Sequence, residues 1–399
     1  MPRASVPVIL VAAAGPAGVR TERVDRTAGA GVVVWMVAIP VPRGVTVGVE
    51  EEFLLVDAVD GTPVGGCDDV LAADRARPEG GGGREFQREL LPTMVETATD
   101  VCTDLTGLRT ELAAARARLD RAARKAGLRP LASGTAPMAA PARTVTPTPH
   151  YRQMARLYGR LTDETETCGC HVHVGVPDRE TAVAVLGHLR PWLPVLLALS
   201  ANSPYHRGAD TGHASWRTLV LARWPTHQIP PRFTSAAHYD RTVAALRGTG
   251  VLPARAANAY WLARPSHHLP TVEVRVADVT PSVDEAVLQA GLTRALVTSA
   301  LDAVSRGRPA PDPPDHMLAA ALWTAARHGL RGPAVHPVTG ARVPAADAVR
   351  ALLTRVRPAL EASGDAREVT ALVEAVLAHG TGAERQRRRA DPATPWTAL

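Results

Sequence analysis

The stretch Thr46-Val-Gly-Val-Glu-Glu-Glu-Phe-Leu-Leu-Val56 decides the fold of this chain, because it predicts a strand whose two faces differ. Alternate residues of a strand share a face and lie about 7 Å apart, so Glu50 and Glu52 point to the same side. That spacing lets two carboxylates flank a cation, although acidic residues also decorate ordinary solvated edge strands. The strand pattern breaks at Asp60-Gly61, as expected for a turn.

The composition is that of a globular protein, since the chain has 399 residues and 46% hydrophobic content. No apolar run reaches the roughly 18 residues of a membrane span, so no membrane association is expected. Four irregularly spaced cysteines do not make a disulfide framework, which fits the cytoplasm. The net charge is +6, but the arginines are spread along the chain and aromatic residues are only 4%, so a nucleic-acid partner is not expected.

The N-terminal residues differ in composition from the rest of the chain. Residues 1–43 are rich in Ala, Gly, Val and Arg and are predicted to be a disordered extension, with Met36 as an alternative start. The apolar segment Val8–Ala14 faintly resembles the core of a signal peptide, which leaves export as an alternative.

Lys125 is the only lysine in the chain, so a P-loop and a Schiff-base cofactor site are both improbable.

The order of the predicted elements indicates an α+β protein with a largely antiparallel sheet and a helical C-terminal part. Further strands are predicted at 84–90, 93–99, 167–176 and 271–279. Helices are predicted at 104–125, 151–161, 178–201, 283–305, 317–328, 345–360 and 367–379. No internal repeat is visible.

The segment Cys168-Gly-Cys-His-Val-His173 has the residue types that zinc prefers. The strand period, however, places His171 and His173 on one face and the two cysteines on the other, so one ion cannot hold all four without a bulge. The two histidines are candidates for a metal ligand or a phosphate donor. The alternative is a pair of ordinary buried, hydrogen-bonded histidines.

The remaining candidate glutamates also allow either a functional role or an ordinary structural one. Glu89 and Glu96 lie on either side of a predicted turn at Pro92 and can face each other, although surface glutamates are common. Glu273 and Arg275 share a strand face, where they form either a structural ion pair or a metal ligand beside an arginine that binds phosphate.

In one sheet these segments would bring five carboxylates together. Neighbouring carboxylates about 4 Å apart repel by about 4 kcal/mol at an effective dielectric near 20, so the cluster must bind cations or take up protons. Oxygen-rich ligands with an imidazole suit Mg²⁺ or Mn²⁺ carrying phosphates better than structural zinc.

Six segments together resemble the motifs of the type 2 glutamate-cysteine ligase family, whose members are often named carboxylate-amine ligases. The resemblance runs from about Thr46 to the end of the chain. The segments are Gly48-Val-Glu-Glu-Glu-Phe53, Gly169-Cys-His-Val-His-Val174, Leu199-Ser-Ala-Asn-Ser-Pro204, Asp210-Thr-Gly-His-Ala-Ser-Trp-Arg217, Thr271-Val-Glu-Val-Arg-Val-Ala-Asp278 and Gly380-Thr-Gly-Ala-Glu-Arg-Gln-Arg387.

The resemblance implies a glutamine-synthetase-like antiparallel sheet funnel with flanking helices, and residues 44–399 as the catalytic domain. It implies ATP as co-substrate and Mg²⁺ or Mn²⁺ as the metal. Position by position, it implies metal ligands at Glu50, Glu52, Glu89, Glu96, His171 and Glu273. Arg275 would meet the transferred phosphoryl group beside Glu273, His173 would bind the cofactor, and Arg217 and Arg264 would bind the substrate carboxylate.

The implied reaction is activation of a carboxylate, for glutamate its γ-carboxylate, as an acyl phosphate that an amine then attacks. The partners would be amino acids and ATP, and a homodimer is the commonest state of such enzymes. The chain departs from the family at Gly134-Thr-Ala-Pro137, at Trp261-Leu-Ala-Arg-Pro265 and at His213, which puts the substrate in doubt more than the phosphoryl transfer. Alternatives are an inactive relative with a regulatory or nucleic-acid-associated role, and a guanidino phosphotransferase.

Overall fold

In the computed structural model, which describes residues 45–76, 83–139 and 144–390, eleven strands are present. The extension predicted at residues 1–43 lies outside these ranges. The strands are β1 Val47–Asp57, β2 Gln87–Arg88, β3 Met94–Ala98, β4 Leu128–Leu131, β5 Gly169–Gly175, β6 Tyr205–His206, β7 Ala209–Asp210, β8 Ala263–Pro265, β9 Thr271–Asp278, β10 Pro333–Val335 and β11 Arg342–Pro344.

Helices surround the strands and dominate the C-terminal part, as predicted. They are α1 Cys67–Arg75, α2 Leu105–Lys125, α3 Pro149–Tyr158, α4 Arg160–Glu164, α5 Arg179–Leu189, α6 Leu193–Ser200, α7 Trp216–Leu221, α8 Ala236–Gly248, α9 Val283–Ser305, α10 Asp315–His328, α11 Ala345–Ser363, α12 Ala366–His379 and α13 Gly382–Arg389.

One antiparallel sheet organises the fold. Its strand order is β2-β3-β1-β5-β9-β8, and β4 pairs with the second half of β1. Strands β1, β5 and β9 lie next to one another at its centre, and β5 and β9 show a register shift between Cys170 and Val172. The predicted antiparallel sheet is therefore confirmed, and the polar stretches of the sequence come to lie on neighbouring strands.

The face of the sheet opposite the one that carries Glu50 and Glu52 is apolar. Val172, Val174 and Val274 are buried in a core that also contains residues of α2, α5, α6 and α9. Glu51 is the exception on this face: it is fully buried and accepts hydrogen bonds from Arg116 at 2.9 Å and 2.5 Å. The middle glutamate of the Glu-Glu-Glu run is thus a structural ion-pair partner.

The structure changes some predicted boundaries. The helix predicted at 178–201 is divided by a 3₁₀ turn, Arg190–Trp192, because Pro191 cannot donate the hydrogen bond that a continuous helix requires. Helix α7 lies between the predicted elements 178–201 and 271–279, where no helix was predicted, and it begins where the Ser215 side chain caps the Thr218 N–H. Strand β2 is only two residues long.

Among the described residues, the run Arg179–Ser200 is long and apolar enough to cross a membrane by length and composition. However, 89% of its most apolar window is buried inside the protein. Its hydrophobic side chains are therefore accounted for by packing in the protein core.

Candidate active site

The polar face of the sheet brings the predicted metal ligands together. Each of three overlapping groups offers ligand atoms that all lie within 4.8 Å of one another. The groups are Glu50, His173 and Glu273; Glu50, Glu96 and His171; and Glu52, Glu89 and Glu96. Because neighbouring groups share a residue, the array could hold more than one cation in a row.

Strand register explains why the array forms. Cα partners across the sheet are Glu52 with Glu96, Glu50 with His171, and His173 with Glu273. Directly opposed residues project to the same side, so the alternation within β1 is repeated on β3, β5 and β9. Glu89 follows the end of β2 and completes the group beside Glu52.

The two histidines are held in the cluster with unsatisfied ring nitrogens. His173 Nδ1 lies 2.9 Å from Thr271 Oγ1, and its Nε2 lies 3.3 Å from Glu50 Oε1. His171 Nδ1 lies 3.7 Å from Glu50 Oε2. Within the described ranges, the buried Nε2 atoms of both histidines have no partner in hydrogen-bonding geometry, and the contact of His173 Nε2 with Glu50 is an ion-pair contact only. An unmade hydrogen bond at a buried polar atom costs about 1 to 3 kcal/mol, so these nitrogens fit a site that binds a cation or a ligand.

The carboxylates differ in their affinity for protons. Burial works to raise the pKa of Glu50, but the adjacent imidazoles of His171 and His173 outweigh it and hold that pKa below its ordinary value. Burial raises the pKa of Glu89 to about 8, and the Glu52 charge adds to the rise. Burial and the Glu89 charge likewise raise the pKa of Glu96. Without a cation, the Glu89–Glu96 end of the array therefore retains a proton near neutral pH.

Two arginines converge on Glu273. Arg264 donates to its two carboxylate oxygens at 2.7 Å and 3.1 Å, and Arg275 donates to Oε1. The predicted ion pair between Glu273 and Arg275 is therefore present, and Arg264 joins it. Burial opposes ionisation of Glu273, but Arg275 and Arg264 hold its pKa well below its ordinary value. In the part of the chain that the structure describes, the buried Nε of Arg275 makes no hydrogen bond, so this guanidinium has a donor left for a ligand.

A cavity of about 310 Å³ adjoins the Glu52–Glu89 end of the array. Arg217, Arg264 and Arg275 are among the residues that line it. Other lining residues are Tyr151, Met154, Leu221, Trp224, His227 and Tyr260. The cavity wall thus combines arginines, whose positive charge suits a carboxylate ligand, with aromatic and apolar residues.

The thiols stand apart from this array. Cys170 belongs to the apolar core that contains Val172, and burial raises its pKa above the ordinary value. Among the described residues, the groups of possible metal ligands contain only glutamates and histidines.

Part of the cavity wall was not predicted from the sequence. Trp224, His227 and Tyr260 come from irregular segments around β8 and α7, where no periodic pattern indicated their direction. Burial and the neighbouring Arg217 lower the pKa of His227 well below its ordinary value, so the imidazole is neutral.

Known proteins resemble this chain over most of its length. A family model described as glutamate-cysteine ligase family 2 matches residues 46–396. A protein of Saccharopolyspora erythraea provisionally named glutamate–cysteine ligase 2-2 is 50% identical over 360 residues, covering 89% of this chain and 91% of the relative. A protein of Salinispora arenicola with the provisional name glutamate–cysteine ligase 2 is 48% identical over 346 residues, covering 87% and 90% of the two chains.

Solved structures share the fold at low sequence identity. The glutamate–cysteine ligase of Francisella tularensis, solved in complex with AMP, has a TM-score of 0.62 and 12% identity, covering 88% of this chain and 85% of that one. The bifunctional glutathione synthetase of Pasteurella multocida has a TM-score of 0.62 and 15% identity, covering 87% of this chain and 49% of that one. The predicted fold class is thereby confirmed. Because the family model matches residues 46–396, the chain belongs to glutamate-cysteine ligase family 2.

Proposed function

We propose that this protein is an ATP-dependent carboxylate-amine ligase that activates the γ-carboxylate of glutamate and joins it to an amine. The observation that carries the proposal is the row of three overlapping ligand groups beside Arg275, whose Nε has no hydrogen-bond partner among the described residues. Such a row matches a polyphosphate substrate bound with its metal ions, because phosphate charge and carboxylate charge both need compensation.

The donor set suits Mg²⁺ or Mn²⁺. Five carboxylates face the two guanidinium groups of Arg264 and Arg275, so negative charge predominates when every group is ionised. Hard divalent cations prefer carboxylate oxygen, and the orphaned Nε2 atoms of His171 and His173 supply nitrogen donors at the Glu50 end. When bound, Mg²⁺ would supply charge compensation for the phosphates of ATP.

The proposed reaction has two steps. An oxygen of the glutamate γ-carboxylate attacks the γ-phosphorus of ATP, the bond to the β-phosphate oxygen breaks, and ADP leaves. The amine nitrogen then attacks the acyl carbon, inorganic phosphate leaves, and the nitrogen releases a proton. Arg275 would stabilise charge on the transferring phosphoryl oxygens, a role that no lysine can take because Lys125 is exposed on α2.

The cavity provides the place for the acid. We propose that Arg217 and Arg264 bind the carboxylate group that is not activated, while the Glu52–Glu89 end lies beside the reacting carboxylate. His173, which Thr271 orients, would contact the ATP side at the Glu50–Glu273 end. The relatives' names point to cysteine as the amine of those proteins, and cysteine is the first amine to test here.

Hydroxylamine trapping tests the proposal. Hydroxylamine intercepts an acyl phosphate as a hydroxamate, so ATP, Mg²⁺ and glutamate should yield both ADP and γ-glutamyl hydroxamate. A guanidino phosphotransferase would instead phosphorylate a guanidino substrate and form no hydroxamate. An inactive relative would form neither product. Either of the last two results would overturn the proposed ligase activity.

The proposal also includes the organisation of the protein. Residues 44–399 would form the catalytic domain, and the enzyme would act in the cytoplasm, where ATP is available. The four cysteines are free, buried thiols, which agrees with a reducing compartment. A homodimer is the proposed assembly, and sedimentation velocity would establish it.

A further inference from the structure

Three of the family-like segments meet at one carboxylate behind the cavity, that of Asp278. This residue ends β9 and is fully buried. Its Oδ2 accepts hydrogen bonds from the Asn202 backbone N–H at 2.9 Å and from Ser203 Oγ at 2.7 Å. Its Oδ1 accepts one from Ser215 Oγ at 2.8 Å. The two loops that flank Arg217 are therefore tied to a single side chain.

Arg217 is held from several directions at once. Its backbone N–H donates to Ser203 Oγ at 3.1 Å, and its Nη1 lies 3.8 Å from Asp278 Oδ1. Its Nη1 and Nη2 donate to the carbonyl oxygens of Val276 and Arg275 at 3.4 Å and 3.3 Å. A Cβ at Gly169 would overlap its guanidinium, so the space is shaped for this side chain. The buried Nε of Arg217 has no hydrogen-bond partner among residues 45–76, 83–139 and 144–390.

The C-terminal helix α13 braces the same network. Gln386 Nε2 donates to Asn202 Oδ1 at 2.7 Å, and Asn202 Nδ2 donates to the carbonyl oxygens of Ala132 and Val279 at 2.8 Å each. A Cβ at Gly134 would lie 2.8 Å from Asp278 Cγ, so the opposite wall leaves no room for Asp278 to move. The brace fixes Asn202, and Asn202 in turn fixes Asp278.

We propose that Asp278 is a positioning residue for substrate binding, which acts by fixing Arg217 at the wall of the cavity. Asp278 itself does not line the cavity, whereas Arg217 does. An arginine side chain has many rotamers, and a side chain held in place before binding does not lose this conformational entropy on binding. The proposal rests on the proposed function, because the ligand of Arg217 would be the unreacted carboxylate of the acid substrate.

The test compares Ser203→Ala, which removes the hydroxyl between Asp278 and the Arg217 backbone, with Asp278→Asn. Initial rates of hydroxamate formation give KM for glutamate, KM for ATP and kcat. We expect KM for glutamate to rise about 10-fold in Ser203→Ala and further in Asp278→Asn, since loss of one well-placed hydrogen bond to a charged group has about this effect. KM for ATP should stay within about twofold.

A matched control is Asp365→Asn, because Asp365 is also a buried carboxylate bound to a buried arginine, Arg294, away from the cavity. This variant should lose stability and keep both KM values. A double-mutant cycle provides the specific readout: once Arg217→Lys is present, Ser203→Ala should raise KM for glutamate by less than about twofold.

The outcomes separate the two proposals. Wild-type protein that forms no hydroxamate refutes the proposed function. Wild-type protein that forms it, with additive effects in the cycle or with equal rises in both KM values, refutes the positioning role. If Asp278→Asn does not fold, Ser203→Ala and the cycle decide the question alone.

Discussion

Glu51 and Glu52 are neighbours on β1, and replacing each by glutamine should have opposite effects on the metal-free protein. Glu52 faces Glu89 and Glu96 and accepts a hydrogen bond from the Gly169 N–H at 2.6 Å. Glu51 faces the apolar core and is bound by Arg116. The pair thus provides a test and a matched control with the same chemical change at adjacent positions.

The magnitudes follow from these surroundings. Ligand oxygens of Glu52, Glu89 and Glu96 lie within 4.8 Å of one another, and two charges at that distance repel by about 3 to 4 kcal/mol at an effective dielectric near 20. Because the pKa of Glu89 is raised to about 8, a proton already relieves part of this repulsion at neutral pH. We therefore expect Glu52→Gln to stabilise the metal-free protein by about 1 kcal/mol. Glu51→Gln should destabilise it by about 3 kcal/mol, since Arg116 loses its carboxylate.

Chemical unfolding in EDTA and in Mg²⁺ measures both effects. Mg²⁺ at about 100 times its dissociation constant would raise the unfolding free energy of the wild-type protein by about 2.7 kcal/mol. Glu52→Gln should lose much of this increase, whereas Glu51→Gln should keep it despite its lower stability. If Glu52→Gln is destabilised in EDTA, or responds to Mg²⁺ like the wild type, the carboxylate array is not a cation site of the proposed kind.

Further predictions follow from the same geometry. ATP consumption should require Mg²⁺ or Mn²⁺ and resist a zinc-selective chelator, and activity that is lost with stoichiometric zinc would contradict the donor assignment. Arg275→Lys should lower kcat for hydroxamate formation by about 10² while ATP still binds in a calorimetric titration, because the charge stays and the planar fork is lost. The folded-state pKa of Glu89 is raised from 4.5 to about 8, so metal-free stability should fall as pH rises through this window, and a flat urea-unfolding profile would refute the shift. A chain beginning at Val45 should fold and bind ATP like the full chain, which circular dichroism and the same titration would check.

The sequence predicted the site best where it depends on local periodicity. Alternation along β1, β5 and β9 is enough to place Glu50 with Glu52, His171 with His173, and Glu273 with Arg275. The structure adds which strands are neighbours, and hence that Glu50 lies opposite His171. Alternation along a single strand carries no information about its partners.

Contacts between distant, irregular segments were not predictable in this way. Nothing in the local pattern indicates that Trp224 lines the cavity, because loops have no repeating direction. The contact between Arg264 and Glu273 joins the neighbouring strands β8 and β9, and it was not predicted because the three-residue strand β8 is too short to show alternation. Asp278 lies in a recognisable segment, yet its role depends on hydroxyls that are 63 and 75 residues away along the chain.

The brace from α13 has a consequence for biosynthesis. The residues of the proposed cation array are all present once Arg275 has been made, but the hydrogen bond between Gln386 and Asn202 spans 184 residues and forms only after α13 has been made. At about 5 to 20 residues per second, the ribosome takes at least several seconds to cover the remaining distance. The nascent chain therefore contains the residues proposed to face phosphate before it can complete the hydrogen-bond network around Arg217. The proposed binding of the acid substrate would accordingly have to wait until α13 has been made.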